Sequence, residues 1–187
     1  MSWNHGGADL ADATALIPQV VDIVKRPVIA AGGIADGRGL AAAFALGAEG
    51  VQIGTAFVPC AGSGASEAYR SAFSSFAAKG TDLTDAFTGR LARGIKNRLM
   101  NEFRHVSSPP LPFPVQHALT QTVATPASAQ GALELMTIWA GQNASLCHST
   151  DATEFMTRLT AEAETVFSKN WETVSPVRET TDEDESR

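Results

Sequence analysis

Two glycine-bearing turns and one histidine are the positions at which this sequence could arrange chemistry. GGIADGRG, residues 32–39, follows the apolar run PVIAA, and Gly54 and Thr55 close a second run within GVQIGTAF. Parallel sheets hold their ligands beyond the C-terminal ends of their strands, where both turns fall. Gly32 and Gly33 carry no Cβ, so the backbone can turn sharply and an anion can approach its N–H groups. Thr55 adds a hydroxyl, and a helix starting near Asp36 adds positive potential. A lone Gly-Gly pair is as well explained by a tight turn. A second glycine-bearing strand end one βα unit later shifts the balance toward a shared phosphate cradle. The spacing is not G-x-G-x-x-G, because the first two glycines are adjacent, which disfavours a dinucleotide-binding domain.

The elements that must position these turns are legible in the hydrophobic pattern. Leu16, Ile17, Val20, Val21 and Val24 recur at helical spacing after Thr14, a candidate cap, which puts Pro18 in the first turn. PVIAA reads as a strand buried on both faces. Asp36 is placed to cap a helix over residues 37–46, which Gly47 would end in the left-handed conformation. Val51–Ile53 forms the next strand. Helix, strand, helix, strand with short turns is the signature of parallel βα units, and hence of an α/β fold. Two such strands with a phosphate site at their tips fit part of a (β/α)8 barrel.

Residues 60–170 read as mostly helical. Ser66 caps one segment that stops at Gly80, and Leu91, Ile95, Leu99 and Phe103 repeat every four residues in RLARGIKNRLMNEF. SSPPLPFP at 107–114 is a proline-rich connector, and a last amphipathic helix follows Thr150 or Asp151. Met100, Phe103, Met136 and Trp139 sit at spacings that more often mark a core face than a substrate pocket. Three regions result: 1–59 with the βα units, a helical covering region at 60–170, and a disordered acidic tail at 171–187.

The formal net charge of −6 comes partly from the tail TTDEDESR, so no basic footprint for nucleic acid remains. Cys60 and Cys147 stand far apart without a Cys/His cluster, which signals neither a disulfide framework nor a metal site. No stretch approaches the ~18 apolar residues of a membrane span. These features lead us to expect a soluble cytoplasmic protein.

RPVIAAGGIADGRGLAAAFALGAEGVQIGTAF, residues 26–57, resembles the flavin phosphate region of the nitronate monooxygenase family, once called 2-nitropropane dioxygenases. LIPQVVDIV, FTGRLARGIKNRLM at 87–100 and IWAGQ at 138–142 resemble further parts of that family, so the likeness covers most of residues 5–165. The resemblance implies an FMN-dependent TIM (β/α)8 barrel with a helical substrate-covering region, oxidising alkyl nitronates with molecular oxygen. It implies that Gly32, Gly33, Gly54 and Thr55 hold the FMN phosphate and that Gln52 lies close to the cofactor. His5, followed by Gly6 and Gly7, is the histidine that corresponds to the family's catalytic one. A neutral imidazole can accept a proton from an acidified carbon or hydrogen-bond a nitronate oxygen. The competing reading of His5 is a residue of a loose terminus. His105, His117 and His148 read as structural or solvated.

The chain also departs from the family. Met1, Ser2, Trp3 and Asn4 stand where the family has Glu-Ala-Gly-Gly, and only two strands are convincing where a barrel has eight. We therefore expect an incomplete barrel, the C-terminal part of such an enzyme, with weak or no activity alone unless another chain supplies the missing strands. Two alternatives are an FMN- and NADH-dependent enoyl-acyl-carrier-protein reductase, which shares the AAGGIADGRG and GVQIGT elements, and a non-catalytic fragment. WAGQ and FTGRLAR favour the nitronate reading.

Overall fold

The computed structural model of the chain describes residues 13–75, 80–104, 106, 108–148 and 150–173. His5, His105 and the tail from residue 174 onward therefore lie outside the described residues. The first four elements are α1 (Ala13–Ile23), β1 (Ile29–Ala31), α2 (Gly37–Ala45) and β2 (Gly50–Gln52). β1 and β2 pair in parallel, with Ile29 opposite Gly50, Ala30 opposite Val51 and Ala31 opposite Gln52. Parallel strands need a crossover, which α2 provides. Asp36 caps α2 as expected, its carboxylate accepting from the Gly39 N–H at 3.0 Å, and Gly47 takes a φ of +95° just past the helix end.

Two local expectations need correction. Helical backbone already includes Ala13 and Thr14, so Thr14 is not the cap and Pro18 lies inside α1. A proline there offers no N–H to the Thr14 carbonyl. β1 is also not buried on both faces: Ala30 is 3% exposed, but Ile29 is 55% exposed. Side chains alternate along a strand, so Ala30 joins Ile17, Ala43 and Ala48 beneath the helices. Ile29 and Ala31 point the other way, onto the open face that Gln52 shares.

α3 (Glu67–Ser75) begins after Ser66, whose hydroxyl accepts from the Tyr69 N–H at 3.2 Å. Beyond it, a largely helical region gives way to an antiparallel hairpin of β3 (Thr81–Thr84) and β4 (Ala92–Ile95). Only Arg98–Arg104, α4, is helical within the stretch that repeats every four residues. The cause is tertiary. Gly94 lets a third segment come alongside, since a Cβ there would stand 2.7 Å from the Ile138 carbonyl oxygen. The Ile95 N–H donates to Ile138 O at 2.9 Å, and the Ala140 N–H donates to Arg93 O at 3.2 Å. Ladder bonds on both sides of β4 outweigh a local helical period.

Tyr69 fixes this third segment from the other side, its O–H donating to the Trp139 carbonyl at 2.7 Å, while the Trp139 ring meets Phe87 edge-on at 5.2 Å. Burial pushes the Tyr69 phenol up to about 12, against the smaller opposing effect of that hydrogen bond. Met100 and Met136 are buried, with Phe103 and Trp139 packed against Met100 and its neighbours, so these residues form core. α5 (Val115–Ala129) follows the proline-rich connector, and α6 (Ala152–Thr173) runs on past Phe167. Asp151 caps α6, accepting from the Thr153 N–H at 2.8 Å.

α6 packs directly on α2. Leu40 and Ala41 share one core cluster with Phe155, Leu159 and Ala163, so residues on both sides of position 60 are buried together. Gly37 makes the approach possible: a Cβ there would lie 2.3 Å from Glu162 Cβ and 2.5 Å from the Ala163 nitrogen. Across the same contact the Gly37 N–H donates to Glu162 Oε2 at 2.9 Å.

Gly37→Ala is expected to force α6 away from α2 and to cost about 1–3 kcal/mol, the usual range for overpacking, in urea unfolding. Unchanged stability would mean that α6 is not held there. The chain's one tyrosine permits a second test. Ultraviolet titration of the folded protein should show phenolate only near pH 12, against about 10 after unfolding. Because the folded value is the higher, this group's contribution to stability is complete below about pH 10 and is lost as pH rises toward about 12.

Candidate functional site

β1 and β2 end level with each other, because Ala31 pairs with Gln52. The next residues, Gly32 and Gly33 on one side and Ile53 and Gly54 on the other, are therefore neighbours beyond the same sheet edge. Gly32 and Gly33 adopt φ of +105° and +70°, which L side chains rarely adopt, so the turn itself requires glycine. Gly54 is different. Its φ is −107° and a Cβ there would meet no atom within 4 Å, so neither backbone conformation nor packing among the described residues calls for glycine. The space in front of Gly32 is equally open. Such a cradle leaves room for a group to approach both strand ends.

Thr55 begins a short 3-10 turn, Thr55–Phe57, and its side chain is the meeting point of two regions. The Gly141 N–H donates to Thr55 Oγ1 at 3.0 Å, and the Asn143 side-chain amide donates to the Gly33 carbonyl. A Cβ on Gly141 would stand 3.3 Å from Thr55 Oγ1 and 4.0 Å from the Gly33 nitrogen. Residues 141–143 thus span the two turns. Gly141 and Asn143 were not among the site residues that sequence reasoning assigns, although the WAGQ stretch is the signal that could have found them.

The structure brings Gly32, Gly33, Gly54 and Thr55 together, and puts the exposed Gln52 on the open face of the sheet next to them. His5 lies outside the described residues. The N-terminus of α2 differs from expectation. Its first-turn N–H groups are already engaged, Gly37 by Glu162 and Gly39 by Asp36, so two carboxylates rather than a ligand neutralise its positive end. Burial alone would raise the Asp36 carboxyl. Hydrogen bonds from the Arg38 side chain and the Gly39 N–H outweigh it and hold that carboxyl below the ordinary carboxylate range. The N-terminus of α2 accordingly offers no open N–H at Gly37 or Gly39 to a group at the strand ends.

Cys60 and Cys147 are both buried and free. Burial pushes the Cys147 thiol up to about 11 and also raises Cys60. Neither is a ready thiolate nucleophile. His117 and His148 are exposed, away from the core. No helix among the described residues is long and apolar enough to cross a membrane.

The chain matches the nitronate monooxygenase family over residues 4–162. A probable nitronate monooxygenase of Staphylococcus aureus (strain Newman) is 44% identical over 144 residues, which make up 77% of this chain and 41% of that protein. Among solved structures, nitroalkane oxidase from Streptomyces ansochromogenes aligns with a TM-score of 0.77 and 35% identity, covering 84% of this chain and 45% of that one. FabK from Thermotoga maritima aligns with a TM-score of 0.73 and 30% identity, covering 87% and 52%. Both structures share the α/β arrangement of this chain over more than four fifths of its length. The chain spans less than half the length of the curated relatives it matches. With a match extending over most of its length and a cradle at the strand ends where the family motif lies, this chain belongs to the nitronate monooxygenase family.

Proposed function

We propose that the chain contributes the phosphate end of an FMN site to an enzyme that oxidises alkyl nitronates with molecular oxygen. The observation that carries this reading is the pair of level strand ends, where Gly54 has no structural need to be glycine and Thr55 stands beside the Gly32–Gly33 turn. Gly32, Gly33, Gly54 and Thr55 would hold the phosphate, with Gln52 on the sheet face toward the flavin ring. FMN would supply the electron-accepting chemistry. His5 would take the substrate proton or hydrogen-bond a nitronate oxygen. A cytoplasmic location belongs to the same proposal, supported by two unpaired thiols.

The barrel is proposed to need strands from polypeptide outside these 187 residues. The support is an open face carrying Ile29, Ala31 and Gln52 on a sheet of two strands, together with relatives about twice as long. The inner face of a closed barrel is filled by just such side chains. This chain alone would accordingly bind flavin weakly and turn over slowly. An enoyl-acyl-carrier-protein reductase-like activity is the second reading, favoured by the likeness to FabK. A non-catalytic fragment is the outcome if neither activity appears on completing the barrel.

Purified chain should show little flavin absorbance and little oxygen consumption with propane 2-nitronate; stoichiometric FMN and steady turnover would defeat the incomplete-barrel proposal. NADH oxidation with a crotonyl thioester, and no response to nitronate, would put the second reading first. In a flavin-loaded, active form, His5→Asn is expected to lower turnover by about 10²–10⁴-fold with flavin retained, the usual contribution of a positioned acid or base. Wild-type turnover in that variant would remove His5 from the mechanism.

A further inference from the structure

We infer that residues 138–143 form a phosphate-selecting strap, in which Gly141 and Asn143 act as positioning residues for the two strand-end turns. The inference rests on the flavin reading above and assigns to the covering region a part in recognising the phosphate. Two hydrogen bonds carry it. The Gly141 N–H occupies a lone pair of Thr55 Oγ1 at 3.0 Å. A hydroxyl that accepts from a backbone N–H keeps its own proton for donation. That proton is given to no protein acceptor among the described residues, so it is available to an anion in the cradle. The second bond, from the Asn143 side-chain amide to the Gly33 carbonyl, fixes the plane of the Gly33–Ile34 peptide and with it the direction of the Ile34 N–H.

The strap is itself held from two directions. Ile138 and Ala140 pair with β4, and the Tyr69 O–H holds Trp139 at 2.7 Å. Donors fixed before the ligand arrives lose little freedom on binding, which is where a rigid strap adds affinity. Glycine at 141 keeps this crossing close, because a Cβ would stand 3.3 Å from Thr55 Oγ1 and push that hydroxyl by a few tenths of an ångström. Within the proposed flavin site, the strap's hydrogen bonds go to the turns proposed to bind phosphate. It should therefore discriminate FMN from riboflavin, which shares the ring and ribityl chain and lacks the phosphate.

The test is fluorescence titration of the full chain with FMN and with riboflavin, comparing wild type with Asn143→Ala and Tyr69→Phe. Wild type should prefer FMN. Asn143→Ala should lose about tenfold of that preference, the scale of one hydrogen bond to a charged group, with riboflavin affinity unchanged. An FMN preference retained in Asn143→Ala overturns the strap while leaving the flavin reading intact. Wild type that binds neither flavin at the highest concentrations overturns the strap as a feature of this chain, whereas the flavin reading itself fails only if the completed barrel also holds no flavin. Amide exchange without ligand gives a second readout: in both variants, exchange should quicken in residues 29–36 as well as in 138–146. Quickening confined to 138–146 would mean that the strap does not position the turn.

Discussion

The contact between Gly37 and Glu162 is the constraint on which the rest of the structure depends. Residues 125 apart in sequence meet where a helix start has no side chain and a carboxylate takes its first free N–H. This one approach brings α6 onto α2, and α2 is the crossover that makes β1 and β2 parallel neighbours. The level ends are those of the two strands that this crossover joins. The same approach also places a carboxylate at the positive end of α2, so the proposed anion site is left to the two strand-end turns and the Thr55 hydroxyl.

The site is thereby divided between two kinds of support. The βα units set the positions of Gly32, Gly33, Gly54 and Thr55 through strand register. The covering region sets the orientation of their polar groups through Gly141 and Asn143, with Tyr69 and β4 behind them. Position and orientation thus come from separate parts of the chain, and both are required because a hydrogen bond weakens steeply when misaligned.

Much of this was legible in the sequence where local chemistry governs. Asp36 and Ser66 were read as caps from residue type and position alone, and each accepts a backbone N–H as expected; of Thr150 and Asp151, left open in the sequence, Asp151 is the one that caps α6. The sharp turn at Gly32 and Gly33 was likewise legible, since a positive φ there is a local demand. The hairpin of β3 and β4 was missed because Leu91, Ile95, Leu99 and Phe103 imitate a helical stripe. The deciding partner, the 138–140 backbone, lies more than 40 residues away. Glu162 and Asn143 were missed for the same reason. A side chain that acts on a distant backbone group leaves no periodic trace, and burial on both faces of β1 could not be judged without knowing which strands the sheet contains.

The strap also has a consequence for the order in which the protein is made. Thr55 waits for a residue 86 positions later, and the Gly33 turn waits for one 110 positions later. Domains emerge from the ribosome N-terminal end first, at roughly 5–20 residues per second. The glycine turns therefore exist for several seconds before the segment that orients them has been synthesised. Contacts so distant in sequence also close slowly. During that interval the strand ends are present but unaimed, and a ligand of the kind proposed would meet turns whose polar groups have not yet been set in place.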